Sequence, residues 1–125
     1  MLVVDDDDAV REVAVRALAR AGYHVLAASS GDAALALLAR RNALDSVLVL
    51  SDVLMPGMTG AQLAERVERD YPAARVALMS GFSTDELARS GLGSPMRSLL
   101  NKPFTLPELV GFVAQAFHTA EEAPT

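Results

Sequence analysis

At 125 residues the chain has room for a single domain, and with 51% apolar and 22% charged residues it can bury a core, which excludes disorder throughout. It has no cysteine, so disulfide frameworks and thiolate metal sites are excluded. The net charge of −5 argues against a nucleic-acid surface, which needs clustered Lys and Arg, and no apolar run approaches the ~20 residues of a membrane span. The start, MLVVDDDD, lacks a basic signal-peptide region. The expectation is a soluble, cytoplasmic protein with no nucleic-acid or membrane partner.

The elements alternate along the chain. Leu2-Val3-Val4 is a short strand running into acids. Val10, Val13, Ala14, Ala17, Leu18 and Ala21 then recur at helical spacing, with Asp8 as expected N-cap and Gly22 as the stop. Tyr23 to Ala28 predicts a second strand and Ala33 to Ala39 a short helix. Ser46 to Leu50 (SVLVL) is non-alternating, with an apolar run from Val47, the pattern of a buried parallel strand. MPGMTG (55–60) is a turn-rich loop before a helix over Ala61 to Asp70. A fourth strand follows at Arg75 to Met79, a weak helix at Thr84 to Ser90 and a fifth strand at Arg97 to Leu100. Leu106, Leu109, Val110, Val113, Ala114 and Phe117 form the clearest helical stripe. Phe104 and Phe117 are expected in the core, His24 and His118 on the surface.

This is an α/β chain of the form (βα)5, a doubly wound parallel sheet with expected strand order 2-1-3-4-5. Residues 1–120 form the domain and 121–125 a tail. In such sheets ligands bind at the carboxyl ends of the strands, near the point where the order reverses. Strand one ends in Asp5-Asp6, strand three in Ser51-Asp52, strand four in Ser80-Gly81 and strand five in Asn101-Lys102-Pro103. The order 2-1-3-4-5 makes strands one and three neighbours. It therefore gathers Asp5, Asp6 and Asp52 into one crevice, with Ser80 and Lys102 on its rim.

Three crowded carboxylates repel unless neutralised. Oxygen donors without His or Cys suit magnesium, with manganese as a substitute. A carboxylate beside such an ion can attack a phosphoryl group and become an aspartyl-phosphate. Lys102 would supply counter-charge, Ser80 a hydroxyl, and backbone N–H groups near Leu54 and Gly81 further donors. Asp7 and Asp8 read as acids favoured at a helix start. Met55, Met58 and Met79 read as packing.

VVDDDD, SDVLMPGMTG, LMSG and NKPF, in this order and spacing, resemble the four characteristic segments of bacterial response-regulator receiver domains, from Leu2 to about Phe117. The resemblance implies the flavodoxin-like, CheY-like fold and phosphorelay signalling. It implies Asp52 as phosphoacceptor, Asp6 as direct metal ligand, Asp5 as a ligand through water and Leu54 as donor of a backbone carbonyl to the metal. Ser80 corresponds to the switch hydroxyl and Lys102 to the phosphate-sensing lysine, with a cis Lys102-Pro103 bond. The implied partner is a histidine kinase or a histidine phosphotransfer domain, or a kinase domain in the same full-length chain. MSGF and LLNKPF resemble the receivers of hybrid histidine kinases. Leu99 departs from the pattern, because the family usually has an aromatic residue three positions before the lysine. The main conformational change is therefore expected from Ser80 to Met96, with Leu99 staying packed.

A hydrolase of the haloacid dehalogenase type also uses Asp, magnesium and Lys, but needs a second acid two residues after the nucleophile. Leu54 stands there. The other alternative, a pseudo-receiver that binds partners without phosphorylation, would lack part of the acid, hydroxyl and lysine set, and none is missing. No enzymatic activity is expected beyond self-phosphorylation and slow autodephosphorylation.

Overall fold

A computed structural model describes residues 1–40, 46–81 and 98–122. Five strands, β1 (Leu2–Val4), β2 (Leu26–Ala28), β3 (Val47–Asp52), β4 (Ala74–Ser80) and β5 (Leu99–Asn101), form one parallel sheet in the order β2-β1-β3-β4-β5. Four helices are described: α1 (Asp8–Arg20), α2 (Gly31–Leu38), α3 (Gly60–Asp70) and α4 (Leu106–Glu122). The expected helix over Thr84 to Ser90, like most of the expected switch segment, lies outside the described residues. No described helix is long and apolar enough to cross a membrane.

Alternation along the strands sorts the core into two layers. Leu2, Val4, Val47, Val49, Val76 and Leu78 pack with Ala34 and Leu38 of α2 and Leu63, Ala64 and Val67 of α3. Val3, Leu48, Leu50, Ala77 and Met79 pack with Ala14, Ala17 and Leu18 of α1 and Leu109 and Val113 of α4. Both faces of the central strands are covered, so those strands carry unbroken apolar runs. Met55 and Met79 are buried, as expected, and Met58 packs against the first layer.

The ends of the elements correct several expectations. The N-cap of α1 is Asp7, not Asp8: its carboxylate accepts from the backbone N–H groups of Ala9 and Val10. The second strand is only Leu26–Ala28, because Gly22 and Tyr23 close α1 instead. Gly22, at φ +100°, donates to Ala19 O, and Tyr23 donates to Leu18 O, the two bonds of a Schellman stop. β3 and β4 run to Asp52 and Ser80. Chemistry-bearing polar residues thus end the strands, where an apolar pattern cannot register them. The helical stripes are only partly inward, since Val13 is 49% and Leu106 47% exposed. Phe104 and Phe117 are half-buried at the edge of the second layer, and Phe117 stacks on Tyr23 with centroids 5.4 Å apart. His24 is exposed, as expected.

The start of α3 fixes the strand end beside it. Thr59 and Gln62 form a reciprocal capping box, and Gly60 N–H donates to Val53 O at 2.8 Å. A Cβ on Gly60 would sit 2.3 Å from the Asp52 carbonyl oxygen and 2.9 Å from Val53 Cα. Both are backbone atoms and cannot step aside cheaply. Gly60→Ala is therefore expected to cost roughly 1–3 kcal/mol, as overpacking does, and to displace Asp52. Chemical denaturation checks it; a loss below ~0.5 kcal/mol would show that the loop yields freely.

Candidate functional site

The sheet register assembles the site. β1 and β3 pair Val3 with Leu50 and Val4 with Ser51, so the next step sets Asp5 level with Asp52. Asp5 follows Val4, which faces α2 and α3, and alternation turns it toward the α1 and α4 side. Asp52 lies on that side two residues after Leu50. On the far edge Ser80 pairs with Asn101, and Lys102 N–H donates to Ser80 O at 2.6 Å. The same alternation carries Lys102, two residues past Leu100, over the strand ends toward the acids.

Lys102 Nζ lies 2.9 Å from Asp5 Oδ2 and 3.4 Å from Asp52 Oδ2. Asp5 is completely buried, and its Oδ1 accepts from Asp7 N–H at 2.9 Å. Asp6 is exposed. Asp5, Asp6 and Asp52 can each offer one carboxylate oxygen such that all three lie within 4.8 Å of one another. Ser80 is buried at the end of β4, one residue beyond Met79, the partner of Asp52 in the register. Leu54 follows Asp52 by two residues with its side chain 51% exposed. The Lys102-Pro103 peptide is cis.

Burial pushes the Asp52 carboxyl above the ordinary range; Lys102 opposes this, and Asp5 and Asp6 add to it. Burial alone would lower Lys102, but its contacts with Asp5 and Asp52 more than offset that and its pKa is raised. The lysine therefore stays charged and neutralises one negative charge, leaving the three-acid cluster with negative charge in excess. An all-oxygen cluster of this size and charge fits a small hard divalent cation.

The sequence-predicted residues Asp5, Asp6, Asp52 and Lys102 come together, and Ser80 and Leu54 stand beside them. Two features were not legible. Asp7 N–H holds Asp5, and Arg11 reaches back from α1 to donate to the Asp5 carbonyl oxygen at 2.8 Å. The only signal for Arg11 was its helical spacing from Asp8, with which it also pairs.

Residues 1–114 match the family model described as the response regulator receiver domain. The chain belongs to that family. This receiver domain is 36% identical over 115 residues to the sensor kinase CckA of Brucella abortus, covering 92% of this chain and 12% of that protein. It is 35% identical over 120 residues to the DNA-binding transcriptional regulator NtrC of Salmonella typhimurium, covering 96% of this chain and 25% of that one. The chain thus spans an eighth to a quarter of these relatives, which include both a kinase and a transcriptional regulator. In structure it is similar to the chemotaxis protein CheY4 of Vibrio cholerae, with a TM-score of 0.78 and 27% identity over 92% of this chain and 95% of that one. The fold expected from sequence, with order 2-1-3-4-5, is the fold observed, and phosphorylation-based two-component signalling is the family's function.

Proposed function

We propose that this receiver domain accepts a phosphoryl group from a phosphohistidine onto Asp52, with magnesium held by Asp5, Asp6, Asp52 and the Leu54 backbone carbonyl. The observation that carries this reading is one nucleophilic carboxylate within reach of two other acids and a fixed lysine. Magnesium, or manganese in its place, would neutralise the acids and bind phosphoryl oxygens. An Asp52 carboxylate oxygen attacks phosphorus as the bond from phosphorus to the imidazole nitrogen breaks. The imidazole keeps that electron pair and is protonated from solvent. Lys102 moves its charge from the carboxylates to the phosphoryl oxygens, and the Ser80 hydroxyl donates to another.

The donor is a histidine kinase or a histidine phosphotransfer domain, or a kinase domain elsewhere in a longer chain. One surface supports such a macromolecular donor. Ala9, Val10 and Val13 of α1 line an apolar groove of about 550 Å³ with Gly81, Pro103 and Phe104, and Lys102 forms part of its wall. A helix seated there could present an imidazole to Asp52, which gives the exposed Val13 a use. The cytoplasm is the compartment this reading implies, since phosphohistidine is made from ATP. A pseudo-receiver finds no support in a complete acid and lysine set.

Incubation with a phosphohistidine donor and magnesium is expected to add one phosphoryl group, labile to hydroxylamine, and chelation of the metal to prevent it. No mass increase under saturating magnesium would overturn the reading. The protein is proposed to do no catalysis beyond its own phosphorylation and slow hydrolysis. Leu54, half exposed beside Asp52 and apolar, cannot orient an attacking water. Leu54→Gln is expected to change the hydrolysis rate severalfold, followed as decay of the phosphorylated species; equal decay rates would remove Leu54 from the account.

A further inference from the structure

We infer that Arg11 is a positioning residue for the cation site: its guanidinium clamps the Asp5-Asp6 peptide in the orientation that aims Asp6 at the metal. The inference rests on reading the acid cluster as a magnesium site. Arg11 donates from one nitrogen to the Asp5 carbonyl oxygen at 2.8 Å and from the other to the Asp8 carboxylate. The side chain is only 21% exposed. Burial is not general for arginines of this helix: Arg16, in an ordinary surface pair with Glu12, is 76% exposed. An ordinary surface pair is weak and explains no inward turn.

The choice of acceptor is what matters. The Asp5 carbonyl belongs to the peptide that joins Asp5 to Asp6, so holding its oxygen limits ψ of Asp5 and φ of Asp6 together. Those angles set the direction of the Asp6 Cα–Cβ bond. Asp5 needs no such help, because its buried carboxylate is held by Asp7 N–H and by Lys102. Asp6 is the exposed member of the cluster, and no hydrogen bond to its carboxylate is found among the described residues. Its aim comes from the backbone, and Arg11 holds that backbone. The Asp8 arm ties the guanidinium to the first turn of α1, so the fork spans from the end of β1 to the helix start. A lysine ammonium lacks that rigid fork and cannot reproduce it.

Charge and clamp predict opposite signs. As a cation beside a cation site, Arg11 repels the metal, so its removal would tighten binding by charge alone. As a clamp, its removal loosens binding. Manganese binding by the full chain, read from the paramagnetic resonance of free Mn²⁺ and displaced by Mg²⁺, separates the two in Arg11→Lys and Arg11→Met. Both variants are expected to bind Mn²⁺ about tenfold more weakly, the scale of supports one step removed from a metal, although Arg11→Met loses a repelling charge. Metal-free melting is measured alongside, and a purely structural role would lower Tm with affinity unchanged. Unchanged or tighter binding in either variant, with the unaltered chain binding normally, overturns the clamp alone. No binding by the unaltered chain overturns the metal reading and the clamp with it.

Discussion

With magnesium and a phosphohistidine donor, Asp52→Asn is expected to take up no phosphoryl group where the unaltered chain takes up one. The amide matches the carboxylate in shape and keeps the register with Met79, so the loss is chemical: an amide oxygen is a poor nucleophile and forms no acyl phosphate. The same variant makes a second, opposite forecast for stability. Burial above all, with Lys102 opposing and Asp5 and Asp6 adding, raises the Asp52 carboxyl pKa. A carboxyl whose pKa is raised by folding binds its proton more tightly in the folded state. Its contribution favours folding at low pH and is lost as the pH rises through the folded value. At neutral pH the ionised Asp52 therefore strains the metal-free fold. Asp52→Asn should stabilise it by on the order of 1 kcal/mol, a few degrees in Tm, with the gain fading as the pH falls and the acid protonates. Phosphorylation persisting at another residue would remove Asp52 from its role. A variant less stable than the unaltered chain at pH 7 without metal would overturn the electrostatic account.

The fold was legible because its physics is periodic. SVLVL could only be a strand covered on both faces, and β3 does carry Val47 and Val49 to one layer and Leu48 and Leu50 to the other. The site was legible through topology: once strands one and three are neighbours, Asp5 and Asp52 must meet. What escaped was set by single hydrogen bonds. Whether Asp7 or Asp8 caps α1 turns on one residue in a run of four acids, and composition cannot choose among them. Tyr23 to Val25 read as strand because Tyr and Val favour strands, yet the Gly22 stop claims Tyr23 for the helix end. Val13 shares the helical stripe by spacing, but α1 buries Ala14, Ala17 and Leu18, and Val13 lines the groove. Leu99, where the family usually has an aromatic residue, packs half-buried against the first core layer, in keeping with a side chain that needs no polar partner.

Lys102→Met is expected to be the most destabilising single change at the site. Lys102 holds Asp5 at 2.9 Å and Asp52 at 3.4 Å, and Asp5 is completely buried. Despite its burial the ammonium keeps a raised pKa through those two acids. A raised lysine pKa contributes stability that is fully present below the unfolded value and lost only as the pH climbs through the folded one, so the contact is intact at neutral pH. Methionine fills similar volume and makes no ion pair, which leaves the Asp5 carboxylate with Asp7 N–H alone. Breaking a buried pair by removing one partner costs about 3–5 kcal/mol. Exposed Asp6 shows that water reaches the acid cluster from one side, so the low end applies: about 3 kcal/mol, or ~10 °C in Tm. Two conditions should narrow the gap. Acid does so by protonating Asp52, whose carboxyl is raised by burial and no longer opposed by Lys102, and magnesium does so by replacing the missing positive charge. Phosphorylation should slow without vanishing, because Asp52 remains. Melting at pH 7 and at pH 5, with and without magnesium, reads all of this. A Tm within ~2 °C of the unaltered chain at pH 7 without metal, or a gap that neither acid nor magnesium closes, would show that Lys102 acts by packing and not by charge.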